Sequence, residues 1–448
     1  MNTSTFYLKK HMFLKILPIV SLTILLAILS CNQQQKRQEQ DEEKTVESPD
    51  LVLGSVQSTV NNGLSYTYFI PSGYSVSTSW PVLIFFDPHG DGGFPLSIYS
   101  NLAEEFHFIL IGSNDCKNGM RIEESTLIAS RLVDASLQTF HADPSKISLA
   151  GFSGGAKVAL VSAGNDQRIH TVICAGAVIP EGSVKRLPPV LGFAGRQDMN
   201  YSDVTMFFLS LEKTSLPHAM VEWKGKHEWP DSNTFRHAFY WCSLSGKNDS
   251  VLASKFLAEQ KILIKGTTEI LIRAELMEEL IQLIPDKSKA ISYEKELKNL
   301  RSTADYKKSF SRREQLLQIE SDEKENLLQS FETRDMNWWK NKVSELFKNY
   351  SELNQRLLGY ISLASYSFSN RALSNGNLPL MEKILFIYGL ADPTNSEQPF
   401  LRAKMFQQTG QQDSILANIK KALKMGADKN RIEKEFPGIS IGELAVDE

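Results

Sequence analysis

Residues Ser148–Leu160 read SLAGFSGGAKVAL. The apolar run Ile147–Gly151 leads into Gly151-Phe152-Ser153-Gly154-Gly155, which fits the pattern G-x-S-x-G, and a helical pattern, GGAKVALVSA, follows at once. A serine on a sharp strand-to-helix turn projects its hydroxyl above a sheet, and the flanking glycines let the helix pack close to the strand. The N–H of Gly154 then lies at a helix N-terminus, where negative charge is favoured. The pattern is short and also occurs in ordinary turns. Its meaning depends on what else the chain supplies, and in what order.

The flanking sequence supplies an alternation of strands and helices. Val82–Phe86, Phe108–Ser113, Ile147–Gly151, Thr171–Ile179, Val190–Gly195 and Ala219–Trp223 are short apolar runs, with helical patterns such as Glu123–Phe140 and Gly155–Ala163 between them. Most of the runs lack in–out alternation, as expected of strands buried on both faces. Strands alternating with helices predict a mostly parallel sheet with right-handed crossovers. Gly63–Pro71 (GLSYTYFIP) alternates more and predicts an antiparallel edge strand.

A serine hydroxyl is a weak nucleophile without a histidine base, and the histidine needs a carboxylate to hold its tautomer. Asp198 follows the run Val190–Gly195 on GRQD, and His227 follows Ala219–Trp223 on KGKHEWPD. Both stand just past a strand end, where catalytic groups of such sheets collect. His218 and His237, and Asp203 and Asp231, are competitors that fit strand ends less well. A developing oxyanion needs a second N–H besides that of Gly154. Asp87–Gly93 (DPHGDGG), after Val82–Phe86, offers Gly90 or Asp91, and the sequence does not choose between them. His89 either faces a ligand or braces that turn, and Trp229 either lines a pocket or packs. Asn114, on the loop Ser113–Gly119 (SNDCKNG), is a candidate for the pocket floor.

These four segments, DPHGDGG, GFSGGA, GRQD and KGKHEWP, taken in order, resemble an α/β-hydrolase of the esterase and depolymerase-like type. The resemblance spans residues 60–245. It implies Ser153 as nucleophile, His227 as base and Asp198 as the orienting acid, with no metal or organic cofactor. Many lipases insert a lid between the strands that here flank Pro180–Pro189. That connection is too short for one. The expectation is therefore a lidless, open site suited to bulky or polar esters such as acylated saccharides.

The N-terminus carries a different signal. Lys9, Lys10 and Lys15 precede or enter an apolar run, Ile16–Leu29, that stops at Ser30-Cys31. A positive start and an apolar stretch too short to span a bilayer comfortably predict a secretory signal. The Ser30-Cys31 junction is similar to the lipobox of bacterial lipoproteins, which implies lipidation at Cys31 and attachment to the cell envelope, periplasmic or surface-exposed. Residues 31–50 have almost no apolar side chains and predict a disordered tether. The remaining cysteines, Cys116, Cys174 and Cys242, match no metal spacing and read as buried small hydrophobes. The net charge of −3 gives no nucleic-acid footprint.

Past Asp249, strand signals fade. Apolar residues recur at helical spacing, as in Thr268–Ile284 (TEILIRAELMEELIQLI), so residues 249–448 predict an all-α domain beside an α/β domain over 51–248. Gly376 and Gly410 stand 34 residues apart, and at the same offset Tyr366 meets Phe400, Ser369 meets Ala403, Met381 meets Ile415 and Leu385 meets Ile419. Over 355–425 this is similar to tetratricopeptide repeats, whose helix-turn-helix unit has that period. Ile415 departs from that pattern, where alanine is usual, and an irregular bundle has equal claim. The leading expectation is a membrane-tethered serine esterase acting through an acyl-enzyme. The alternative is a non-catalytic envelope lipoprotein whose helical domain binds a protein partner.

Overall fold

The computed structural model describes residues 51–439 except 181 and 248. The expected signal segment, tether and lipidated Cys31 lie outside the described residues. Eight strands form one sheet: β1 (Val56–Asn61), β2 (Leu64–Phe69), β3 (Trp80–Phe86), β4 (Ile109–Ser113), β5 (Ala142–Phe152), β6 (Ile169–Ala175), β7 (Val190–Gly195) and β8 (His218–Trp223). Their spatial order is β1-β2-β4-β3-β5-β6-β7-β8. The β1–β2 and β2–β4 pairs are antiparallel and the other five are parallel. This is the α/β-hydrolase type of sheet.

Burial explains which strands the sequence reveals. Val82–Phe86 of β3 are wholly buried, as a strand covered on both faces must be. The segment Gly63–Pro71 contains β2, yet β2 is not the edge: β1 pairs outside it, with a mostly exposed pattern that carries little hydrophobic signal. The run read as Thr171–Ile179 stops as a strand at Ala175, because Gly176 turns into the left-handed region at φ +64°.

Five helices flank the sheet: α1 (Gly93–Phe106), α2 (Ile122–Thr139), α3 (Gly154–Asn165), α4 (Tyr201–Leu211) and α5 (Ser232–Leu244). Helices α1 and α5 pack together, as do α2 and α3. Between α1, α5 and the sheet lies an aromatic layer. Tyr99 and Phe235 stack with ring centres 4.0 Å apart, and Phe85 and Trp229 join them. Cys116, Cys174 and Cys242 are buried free thiols.

From Ser250 onward the described residues are all helical. Helices α6 (Ser250–Gly266) and α7 (Ile270–Leu283) are followed by α8 (Lys287–Ser302), α9 (Ala304–Thr333), α10 (Met336–Lys348), α11 (Glu352–Ser374) and α12 (Leu378–Ala391). Helices α13 (Glu397–Thr409), α14 (Gln412–Lys424) and α15 (Lys429–Glu435) complete the region. The change of sequence character at Asp249 is not a break in the core. Phe256, Leu280, Leu283 and Ile284 belong to the same apolar cluster as the sheet and α5. A second core, running from Leu327 to Phe436, is purely helical.

The thirty-residue α9 runs from a small apolar cluster of Ala274, Met277, Leu297 and Tyr306 into the second core. At 1.5 Å per residue it is about 45 Å long. Leu317, Glu320, Lys324, Leu327 and Phe331 form its buried stripe. The spacing of three and four is that of one helix face, but two of the five positions are charged. Farther on, α11–α12 and α13–α14 are consecutive helical hairpins. Gly376 and Gly410 sit at their turns with φ of +67° and +70°. Ser369, Ala403, Met381, Ile415, Leu385 and Ile419 are all buried, whereas Tyr366 is exposed where Phe400 is buried. No helix among the described residues is long and apolar enough to cross a membrane.

Candidate active site

The turn after β5 is strained at its serine. Ser153 has φ +52° and ψ −120°, outside the regions that residues with a Cβ prefer. Its N–H donates to the Ala175 carbonyl at 2.9 Å, which ties the turn to β6. Two neighbours must be glycine for steric reasons. A Cβ on Gly151 would come within 2.1 Å of the Gly155 carbonyl oxygen, and one on Gly155 within 1.9 Å of that of Phe86. The helix therefore starts hard against the strands, and the serine hydroxyl is raised above them.

Two further loops reach that hydroxyl. His227 Nε2 lies 2.9 Å from Ser153 Oγ. His227 Nδ1 lies 2.9 and 3.0 Å from the two oxygens of Asp198. Asp198 is 2% exposed and also accepts from the Asn200 N–H at 2.8 Å. The Asp198 loop is pinned to the His227 loop by backbone bonds: Arg196 N–H to Trp223 O and Gln197 N–H to Gly225 O, both 2.9 Å. The ring of Phe152 lies 4.6 Å from that of His227. The structure thus brings Ser153, His227 and Asp198 into one hydrogen-bonded relay and leaves His218, His237, Asp203 and Asp231 out of it. His237, for instance, pairs with Glu279 at 2.6 Å.

In the loop after β3 the two candidate N–H groups differ in their hydrogen bonding. The Gly90 N–H donates to the Asp87 carbonyl at 3.1 Å, closing a turn in which Gly90 has φ +74°. The Asp91 N–H has no acceptor among the described residues. Gly154 opens α3, so its N–H has no intrahelical acceptor either. The Asp91 carboxylate caps α1 by accepting from the N–H groups of Gly93 and Phe94, each at 3.1 Å.

The remaining candidates divide. His89 lines the cavity above Ser153, and its Nδ1 and N–H both contact Asp87 Oδ1, at 3.2 and 2.8 Å. That contact raises the imidazole pKa. Burial pushes the Asp87 carboxyl up, but hydrogen bonds from His89 and Trp229 outweigh it and hold it below its ordinary value. Trp229 does not line the pocket. It is 6% exposed, packs in the aromatic layer, and donates to Asp87 Oδ2 at 2.9 Å. Asn114 does not floor the pocket either. Its Oδ1 accepts from the Gly92 N–H at 3.1 Å and its Nδ2 donates to Ser65, so it braces the Asp87–Gly93 loop from behind. From the same loop it is Asn118 that lines the cavity, with Oδ1 within 1.8 Å of where a Gly154 Cβ would stand.

The cavity holds about 500 Å³, within the usual range for ligand pockets. The β6–β7 connection is short, as its sequence indicates, but the loops of the sheet do not shape the cavity alone. One side of the cavity is built by residues 347–397, including Phe347, Tyr350, Gln355, Tyr366 and Asp392. That wall comes from chain more than a hundred residues downstream rather than from an insertion inside the sheet. A local reading of one connection does not register it.

The downstream helices also grip the acid loop. Arg356 of α11 donates to the Arg196 carbonyl at 2.7 Å, and Lys324 of α9 donates to the Met199 carbonyl at 2.6 Å. Glu320, fully buried, accepts from Arg356 Nε at 2.7 Å and pairs with Lys324 at 2.8 Å. These residues carry no motif. The only trace in the sequence is the pair of charges on the apolar stripe of α9.

No protein-family profile matches the chain, and no curated protein does. Among solved structures it is similar to an S-formylglutathione hydrolase from Staphylococcus aureus at 16% identity, covering 42% of this chain and 95% of that one, TM-score 0.36. It is also similar to a hyperthermophilic esterase from Pyrobaculum calidifontis at 12% identity, 50% of this chain and 94% of that one, TM-score 0.34. A thermophilic carboxylesterase cloned from a metagenomic library matches at 13% identity, 47% of this chain and 95% of that one, TM-score 0.34.

Proposed function

We propose that the chain is a serine hydrolase that cleaves a carboxylic ester through an acyl-enzyme. The observation that carries this reading is the unbroken relay from Ser153 Oγ through His227 to buried Asp198. His227 takes the Ser153 proton as Oγ attacks the ester carbonyl. Asp198 holds the tautomer with Nδ1–H and stabilises the imidazolium that forms. The N–H groups of Gly154 and Asp91 receive the oxyanion, where preorganised donors lower the barrier most. His227 next protonates the leaving alcohol. Water, deprotonated by the same histidine, then hydrolyses the acyl-enzyme.

The test is a panel of chromogenic short-chain acyl esters, with labelling by a fluorophosphonate that reacts with activated serines. Turnover and labelling in the wild type, both lost in Ser153→Ala, are the expected result. Labelling that persists in Ser153→Ala overturns the assignment.

The proposed setting is the bacterial envelope, with the chain held by acyl groups on Cys31. Each buried methylene contributes about 0.8 kcal/mol to such anchoring. Metabolic labelling with a palmitate analogue, lost in Cys31→Ser, is the corresponding check. The paired helical hairpins after Glu352 fit a repeat of the tetratricopeptide kind, and here their first unit serves the cavity wall.

A further inference from the structure

The helical side of the cavity has a composition of its own. Phe347 and Tyr350 are 41% and 55% exposed and stack on each other, ring centres 5.9 Å apart and planes 11° from parallel. Tyr366, 38% exposed, stands on the same wall. Beside these rings are neutral hydrogen-bonding groups, Gln355, Ser362 and Asn395, and the carboxylate of Asp392. Asp392 Oδ2 accepts from Ser362 Oγ at 2.9 Å and from Asn395 Nδ2 at 2.8 Å, so the carboxylate is held in place. Among the described residues it has no cationic partner.

We infer that this wall, resting on the esterase reading above, is a subsite for a neutral sugar on the alcohol side of the ester. A pyranose offers an apolar C–H face to an exposed aromatic ring and a rim of hydroxyls to carboxylates and amides. The wall supplies both at one cavity of about 500 Å³. Other ligand classes fit worse. A long alkyl chain would strip water from Asp392, Gln355 and Asn395 without replacing its hydrogen bonds, which costs more than the apolar contact returns. A phosphorylated alcohol would face Asp392 and Glu397, with Lys226 the only lysine or arginine among the described residues that line the cavity. A quaternary ammonium would suit the rings, but it leaves the amides unused and meets Lys226. The saccharide expectation thus stands on the lining of the cavity and not on its openness.

The experiment compares three acetate esters on the full chain: O-acetylated xylo-oligosaccharides, 4-nitrophenyl acetate and acetylcholine. Preference for the sugar ester is the expected result. Tyr350→Ala and Phe347→Ala should each lower the ratio of sugar-ester to aryl-ester kcat/KM by about tenfold, through KM, as loss of one stacking contact predicts. Ser153→Ala should still bind the unesterified oligosaccharide in saturation-transfer NMR, and the double variant Ser153→Ala/Tyr350→Ala should not. Preference for acetylcholine, or an unchanged ratio in both aromatic variants, overturns the sugar subsite while leaving the esterase. Oligosaccharide binding that needs Tyr350, in a protein that turns over none of the three esters, upholds the subsite and overturns the esterase.

Discussion

Arg356 donates a hydrogen bond to the backbone carbonyl of Arg196 at 2.7 Å, two residues before Asp198 in a chain 160 residues upstream. Lys324 holds the Met199 carbonyl one residue after Asp198. The acid of the relay is thus gripped on both sides by buried cations from helices, with Glu320 neutralising them from behind. Replacing Arg356 by Met leaves the fully buried Glu320 with one cation, Lys324, and the hydrogen bond from Ser202 Oγ. A buried charge left wholly uncompensated costs about 3–5 kcal/mol, which is the upper bound here. Arg356→Met should lower stability by up to that much, read by urea unfolding. Arg356→Lys keeps the charge but not the planar fork, and should fall between. The same series should lower kcat more than it raises KM, because it loosens the Asp198 loop rather than the cavity.

The relay makes a graded prediction. Ser153→Ala should lower kcat on a chromogenic ester on the order of 10⁴-fold or more, and Asp198→Asn on the order of 10⁴-fold, since the histidine then loses its required tautomer. Circular dichroism should be unchanged for Ser153→Ala. Asp198→Asn activity within about tenfold of the wild type would sink the role assigned to the carboxylate.

Gly155 tests the packing of the turn. Its added Cβ would meet the Phe86 carbonyl oxygen at 1.9 Å, a backbone atom that no rotamer change can move away. Overpacking of this kind costs about 1–3 kcal/mol and more where backbone must shift. Gly155→Ala should lower the melting temperature and displace Ser153. Serine labelling should therefore fall further than the fraction folded.

A pH effect on stability follows from Glu275 of α7. Burial, and then the nearby Glu222, push its carboxyl up to about 8 although Arg313 lies 2.5 Å away. Arg313 also lies 3.6 Å from Glu222, whose nearer cation is Arg196 at 2.7 Å. The folded protein holds this proton where the unfolded chain has released it. Stability from this group is complete below the ordinary carboxylate range and is lost as pH rises through about 8. Glu275→Gln should flatten that decline, measured by denaturant midpoints between pH 5 and 8.

The parts of the fold with strong local physics were legible in the residues. Strands β3, β4, β6, β7 and the second half of β5 are mostly apolar runs because both faces are buried, and G-x-S-x-G marks a turn that needs its flanking glycines. Asp198 and His227 were found from chain order and strand ends. Strand β1 was missed because an exposed edge carries no hydrophobic pattern. Of the loop residues, Asn114 and Asn118 are chemically alike, and only their placement sends one behind the loop and the other over Gly154. Trp229 was ambiguous for the same reason, since a large ring suits a core and a pocket equally.

By itself, then, the sequence determined the sheet, the turn that lifts Ser153, and the three side chains that meet there. These rest on short-range rules: hydrophobic period, glycine sterics, and groups collecting at strand ends. Only the tertiary structure decided that Asp91 rather than Gly90 has a free N–H, and that residues 347–397 wall the cavity. It alone placed Glu320, Lys324 and Arg356 around the Asp198 loop. Those facts depend on contacts between segments more than a hundred residues apart, or on where one backbone hydrogen bond happens to close, and neither leaves a local pattern to read.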